Sequence, residues 1–447
     1  MEIRCPANDE TYKIERDLVR PLVHGTDIKR YREPDPELCV IYPYTDKNGK
    51  TTPISEDRIR DEFPFAYEYL DGFKQRLAGR AESSKFKEWF CLSRPREKRL
   101  FESSKLIVPD VCQISEFTLD IDGNTYVSDS AYIIIPEDNS ELKSNFLLAV
   151  LNSKLTWFYV YLTSSILRGD FRRFKTSYLE PLPIPQPNIE GTIDDLEEKY
   201  DSGILEILIN KKDRTKIGEQ EALAYLASEL SQFHHYREEL NLSIIDHLGN
   251  YKNGESLKQI GLIQPQSSTT KSTLENTAEK LPNLRVGTAR VDRESPNTVL
   301  IETTARYKPD DEDAHETDRW GYTETEYLPA FRITDLTERE ADLIEHFVPV
   351  AVDEAGGFAN FRETATKTNS LIDRLKAIEL PDVDDVADDL ENYLNTKERA
   401  EELDAKIEQT DQLIDEIVYE LYGLTDEEIE IVEEAVEDSP HKTSTAN

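Results

Sequence analysis

An α+β fold is what this chain predicts, with a mixed N-terminal domain, a helical linker, a small β element and a long helical C-terminal region. Three observations carry the expectation. Short apolar runs separated by turn residues fill residues 12–135. Helical apolar spacing takes over after residue 138 and recurs over 203–248 and from Asp335 onward. Between those helical stretches, residues 284–333 return to strand-like runs. The segments so defined are 1–190, 191–282, 283–334 and 335–447.

The elements follow in order. Cys39-Val40-Ile41-Tyr42-Pro43-Tyr44 is an apolar run, and Lys47-Asn48-Gly49-Lys50 offers an Asn-Gly turn after it. Asp57 to Leu77 has helical spacing with Phe63, Tyr67 and Leu70. Leu106-Ile107-Val108 and Ala131 to Ile135 suit buried strands, and Phe117-Thr118-Leu119 and Tyr126-Val127 flank a turn at Asp122-Gly123-Asn124. Asp138 with Glu141 has capping-box spacing before a helix whose apolar face runs from Leu142 through Phe146, Val150 and Leu155 to Phe158. The prolines from 181 to 187 predict the end of the domain and the start of a linker. Leu223, Leu226, Leu230 and Phe233 share a later helix face. Thr298 to Thr303 reads as a strand, and Val383 to Glu434 as a long antiparallel hairpin or coiled-coil arm.

The 447 residues include 91 acidic and 53 basic side chains, a formal net charge of -38. Aromatic content is 9%, which argues against disorder, and a carboxylate-rich surface of this kind is the expectation for a halophilic cytoplasm. The charge is uneven. Residues 1–190 hold 27 Lys+Arg against 31 Asp+Glu, whereas residues 191–447 hold 26 against 60. The first part has kept its cations, as a polyanion-binding surface requires. Cys5, Cys39, Cys91 and Cys112 form no CxxC and have no histidine pairing, so neither zinc nor a disulfide framework is expected. No apolar run has the length of a membrane span and no signal peptide is evident, so a reduced cytoplasmic protein is expected.

One stretch stands out against the acidity. Arg168, Arg172, Arg173 and Lys175 are interleaved with Phe171 and Phe174, just before the prolines. Arginine offers a planar fork to phosphate or guanine, and the rings can stack on bases or pack beneath the cations. The plain alternative is a surface strand whose cations meet neighbouring carboxylates. Two further groups, Arg94, Arg96, Lys98 and Arg99, and Lys29, Arg30 and Arg32, suit phosphate contacts that set register. At high salt, counterion release weakens, which shifts weight toward base contacts and stacking by Tyr31, Phe171 and Phe174.

Several runs, in order, carry a resemblance. They are Arg20-Pro21-Leu22-Val23-His24-Gly25-Thr26-Asp27-Ile28-Lys29-Arg30-Tyr31, Ile41-Tyr42-Pro43-Tyr44, Lys105 to Asp110, Ser128 to Tyr132, Leu151 to Leu155 and Arg168 to Pro185. Over about residues 20–186 the chain resembles the TaqI-like C-terminal specificity domain of adenine-specific DNA methyltransferases, a domain shared with Type IIG restriction–modification enzymes. Leu413 to Leu424 is similar to the C-terminal helix of those enzymes. The resemblance implies double-stranded DNA as partner and target recognition as the role. It also implies a methyltransferase domain or subunit that carries S-adenosylmethionine. Such enzymes hold an Asn-Pro-Pro-Tyr motif, and this chain contains no Pro-Pro dipeptide. Gly356-Gly357 lies between helical segments, the wrong context for a cofactor turn. No catalytic residue, metal or cofactor is therefore assigned to this chain, and the methyltransferase is expected on a separate polypeptide or lost from a truncated gene.

Two other readings compete. The chain can be a free-standing DNA-binding protein without a methyltransferase partner. Alternatively, Asp110, Glu141 and Lys143 have the order of a magnesium nuclease site, although Glu141 and Lys143 fall on a predicted helix where a strand is needed. His234-His235 are adjacent on a helix and point apart, so joint metal ligation is not expected.

Overall fold

A computed structural model describes residues 1–47, 50–80, 88–92, 97–137, 140–200, 203–264, 273–280, 285–309, 315–318, 320–354 and 371–437. The fold is α+β, and the chain divides into two compact units: Met1–Glu239 with Leu403–Asn447, and Leu240–Glu402. These units do not follow the four consecutive segments anticipated from the sequence.

In the first unit, small sheets carry the mixed region. Val19–Val23 lies between Tyr126–Val127, which runs parallel to it, and the antiparallel Leu38–Ile41. Lys105–Pro109 is the centre of a second sheet, with Ala131–Ile134 and Thr118–Asp120 antiparallel on either side. Every residue of Lys105–Pro109 is buried, as an uninterrupted apolar run predicts. Lys105 itself is fully buried, donating to Asp120 and to the Phe101 carbonyl. Gly123 has a left-handed φ of 67° at the expected turn, but the strands beside it enter different sheets rather than forming a hairpin. The strands Tyr44–Lys47 and Lys50–Pro53 pair around the Asn-Gly dipeptide, which lies outside the described residues. Asp57 to Leu77 becomes three short helices: Pro64 opens the second because it cannot continue the first, and a further break falls at Phe73.

The helix Glu141–Asn152 begins at Ser140; Asp138 of the expected capping box lies outside the described residues. It does not continue to Phe158. Ser153 is extended and caps a second helix, Lys154–Thr163, through Thr156 N, with a 56° bend between the two. Among the described residues no single helix is long and apolar enough to cross a membrane.

The segment expected to be a linker is core. Ile193, Leu196, Ile204, Leu208 and the Leu223/Leu226/Leu230 stripe of Glu219–Glu239 pack with Phe146 and Val150 of the preceding domain. Leu413, Ile414, Ile417 and Val418 join the same core, so this part of the helix Ala387–Tyr422 is not a free arm. The helix ends at Gly423 (φ 65°), where the Leu424 and Gly423 amides close on Tyr419 and Glu420 carbonyls before Asp426–Glu437 begins.

The second unit holds an antiparallel sheet in the order Leu262–Gln264, Leu328–Thr334, Thr298–Tyr307, Arg285–Ser295, with Thr323–Glu324 added to Thr298–Tyr307. The helix Glu338–Glu354 supplies Ile344, Phe347 and Val348 to a core with Val299, Ile301 and Phe331. This is the small β element expected near 283–334, extended by one earlier strand.

Candidate nucleic-acid interface

The cationic stretch begins where Lys154–Thr163 ends. A short hairpin follows, in which Ile166 bridges Arg172 and the Leu167 amide donates to the Phe171 carbonyl at 2.9 Å. Its tip turns because Gly169 (φ 81°) and Asp170 (φ 58°) both adopt the left-handed region. Gln113 Nε2 holds the tip by donating to the Gly169 carbonyl at 2.9 Å. Arg172–Arg173 then pairs antiparallel with Val111–Cys112, and the Phe174 amide donates to Asp110 O at 2.9 Å.

Strand alternation sorts the expected contacts into two faces. Arg172 and Phe174 point inward and are buried, while Phe171, Arg173 and Lys175 are half-buried. Phe174 stacks on Trp157 (6.2 Å, 9°) and meets Phe117 edge-on (5.8 Å), so it packs beneath the surface and has no face for a base. Arg173 Nη1 donates to Asp110 Oδ2 at 2.9 Å. Arg168 is exposed at the tip. Two exposed aliphatic residues of this region carry no signal in the cationic pattern: Ile166, on the hairpin, and Leu162, near the end of the preceding helix, are 67% and 63% exposed. The hairpin itself does carry one, since Gly-Asp between alternating residues is a hairpin mark.

The second cationic group is largely structural. Tyr31 is 1% exposed with a φ of 61°, so it cannot stack on DNA as expected. Arg30 donates to Asp411 Oδ2 at 2.5 Å and to the Asn152 carbonyl at 2.7 Å, with its guanidinium 5.0 Å from the Tyr31 ring centroid. That pairing replaces the expected phosphate contact. Burial opposes the charge on Arg30, yet Asp411 holds its pKa above the ordinary value. Asp415, next to this pair, is pushed up to about 7 by burial and by Asp411; its Oδ1 accepts from the Lys154 amide at 2.8 Å. Arg32 reaches Glu238 at 2.7 Å, and Lys29 is exposed. Arg94 and Arg96 lie outside the described residues, while Lys98 and Arg99 meet Glu102 at 3.0 Å and Glu97 at 2.6 Å, respectively, in place of the expected phosphates.

The nuclease arrangement does not assemble. Asp110 is engaged by Arg173, Glu141 and Lys143 sit in the first turn of a helix, and no group of three metal-ligating side chains occurs among the described residues. Burial, then Arg32 and Arg30, lowers the His234 pKa to about 4, while His235 is exposed and 3.5 Å from Glu239.

This hairpin, with the two sheets behind it, lies in a module defined by comparison. Residues 20–184 match the TaqI-like C-terminal specificity domain. Among curated proteins, the Type II methyltransferase M.BstVI of Geobacillus stearothermophilus is 25% identical over 194 residues, 43% of this chain and 32% of its own. The Type II restriction enzyme and methyltransferase RM.Eco57I of Escherichia coli is 26% identical over 229 residues, 46% of this chain and 23% of its own. The Type II methyltransferase M.PaeR7I of Pseudomonas aeruginosa is 28% identical over 178 residues, 40% of this chain and 29% of its own. The matched region thus spans less than a third of each relative.

Proposed function

We propose that this chain reads a DNA sequence for an adenine-specific methyltransferase of a restriction–modification system, with the 164–175 hairpin at the interface. The observation that carries the reading is a coincidence in place. The specificity-domain match contains the 162–175 segment, where exposed Leu162, Ile166 and Arg168 fall within seven residues of one another, in the part of the chain that is close to neutral. Arg168 and Lys175 supply charge-assisted contacts to phosphate or a guanine edge, and Phe171, Ile166 and Leu162 supply apolar contact. The methyl donor S-adenosylmethionine and the adenine pocket belong to a methyltransferase domain or subunit that this module accompanies. Residues 20–184 would help hold the duplex while the base is flipped. The acidic remainder suits concentrated salt, where apolar and base-edge contacts outlast phosphate attraction.

Replacing Arg168 and Lys175 together by alanine is expected to weaken specific duplex binding by about tenfold or more and to reduce the dependence of log K on log salt by about two. Filter binding across a salt series checks this. Unchanged affinity and unchanged slope would remove the hairpin from the interface. A free-standing binder is distinguished by mass spectrometry of the chain purified under native salt, through the absence of a stoichiometric methyltransferase.

A further inference from the structure

We infer that Arg172 is a reserve phosphate-binding residue, stored beneath the hairpin and turned out onto a backbone phosphate when duplex arrives; the inference rests on the DNA reading above. Three cations are buried to less than a tenth of their surface among the described residues: Lys105, Arg172 and Arg214. Lys105 is satisfied by Asp120 and the Phe101 carbonyl. Arg214 is satisfied by the Leu208 carbonyl at 2.9 Å, Glu416 at 3.1 Å and Glu420 at 3.2 Å. Arg172 is the exception. It is 3% exposed, and its Nε and Nη1 find no hydrogen-bond partner among the described residues.

The guanidinium lies over an aromatic ring, its carbon 4.2 Å from the Tyr161 centroid. A guanidinium buried on an aromatic face with donors unmet is destabilised relative to a paired one, and such groups call for an explanation. The explanation is close at hand. Ile166, the neighbour of Arg172 across the hairpin bridge, is 67% exposed, so the buried fork lies one cross-strand step from solvent. Rotation about the arginine side-chain bonds would exchange the ring for a phosphate. The planar donors of guanidinium match that anion in pairs. Free phosphate presents the same oxygens as the DNA backbone; the location under an apolar, cation-tipped hairpin favours the backbone.

The test uses the full chain and a duplex selected on it from a random-sequence library. Arg172→Met keeps the length and the packing on Tyr161 while removing the unmet donors. The expected result is a thermal midpoint that rises by about 2–4 °C, with duplex affinity lowered about tenfold and the salt slope reduced by about one. Tyr161→Leu removes the seat without touching the donors, and is expected to hold or raise affinity. Arg172→Met with a lower midpoint and unchanged affinity makes Arg172 a structural residue and overturns the inference. Loss of affinity in Tyr161→Leu equal to that in Arg172→Met does the same. Inorganic phosphate that raises the wild-type midpoint alone, with duplex affinities equal, assigns the site to a small anion instead. If Arg168→Ala weakens binding and Arg172→Met does not, the DNA reading stands and this inference falls. If the wild-type chain retains no duplex, both fall.

Discussion

Arg30 and Arg168 belong to the same class of side chain and do opposite work. Arg30 is committed to Asp411 and a carbonyl, beside a second buried carboxylate at Asp415. The pair is half-buried, and removing the arginine leaves Asp411 without its charged partner, so Arg30→Ala is expected to cost about 1–3 kcal/mol of stability, read as a shifted denaturation midpoint. Arg168→Ala is expected to leave that midpoint where it is. Equal midpoints for the two variants would contradict the assignment of Arg30. A residue-scale pH dependence follows from His346, whose pKa burial lowers to about 4, with Lys397 and Arg293 contributing. The unfolded state, with a histidine pKa of about 6.5, binds the proton more readily. The neutral ring therefore favours folding fully above pH 6.5, and that contribution is lost as pH falls toward 4. His346→Phe should narrow the gap between neutral and acid stability by about 1–2 kcal/mol. Denaturation at pH 7 and pH 4.5 checks it; a gap of unchanged size would show that His346 does not drive the acid loss.

At the scale of elements, the buried strands were legible because periodicity depends only on local pattern. Leu106-Ile107-Val108 is buried throughout and the Leu223/Leu226/Leu230 stripe faces the core, whereas Ala131–Ile134 pairs beside the former with Ala131 alone buried and the rest half-buried. In the candidate site, Arg172–Arg173 form a short strand and Arg173 meets the Asp110 carboxylate, as the plain alternative has it, while Arg168 is exposed and Lys175 half-buried. What pattern could not supply was the identity of distant partners. Asp411, 381 residues after Arg30, turns a surface-looking arginine into a half-buried tie. The prolines after 181 predict a linker, yet Leu182 and Ile184 pack on the core and Tyr422 donates to the Pro183 carbonyl at 2.8 Å. The C-terminal part of Ala387–Tyr422 should therefore be indispensable to the first unit. Ile417→Asp, which puts a charge among fully buried side chains, is expected to abolish cooperative melting of that unit. An intact melting transition would show that the helix merely rests on the module.

For the whole molecule, the discontinuous first unit makes Leu240–Glu402 an insertion into it. The two points where the chain leaves and returns are neighbours within that unit: Arg237 Nε donates to Asp404 Oδ1 at 2.8 Å. Joining residue 239 to residue 403 through about five flexible residues would span such a gap. The shortened chain is expected to fold, to melt cooperatively and to keep the duplex affinity of the parent. Aggregation or loss of binding on excision would assign the inserted unit a part in forming the interface. Its separate core of Val299, Ile301, Phe331, Ile344 and Phe347 predicts that the excised piece also folds.

The insertion also orders events during synthesis. Phe146, Leu223 and Leu226 leave the ribosome early, but Leu413, Ile414, Ile417 and Val418, which close the same core, are translated almost two hundred residues later. At about 5–20 residues per second the nascent first unit waits roughly 10–40 s with its apolar face uncovered. The inserted unit, complete by residue 402, has time to finish first. The unit that holds the specificity-domain match is thus the last part of the chain to mature, and a ribosome stalled before residue 403 would release a folded insert attached to an unsealed, chaperone-dependent remainder.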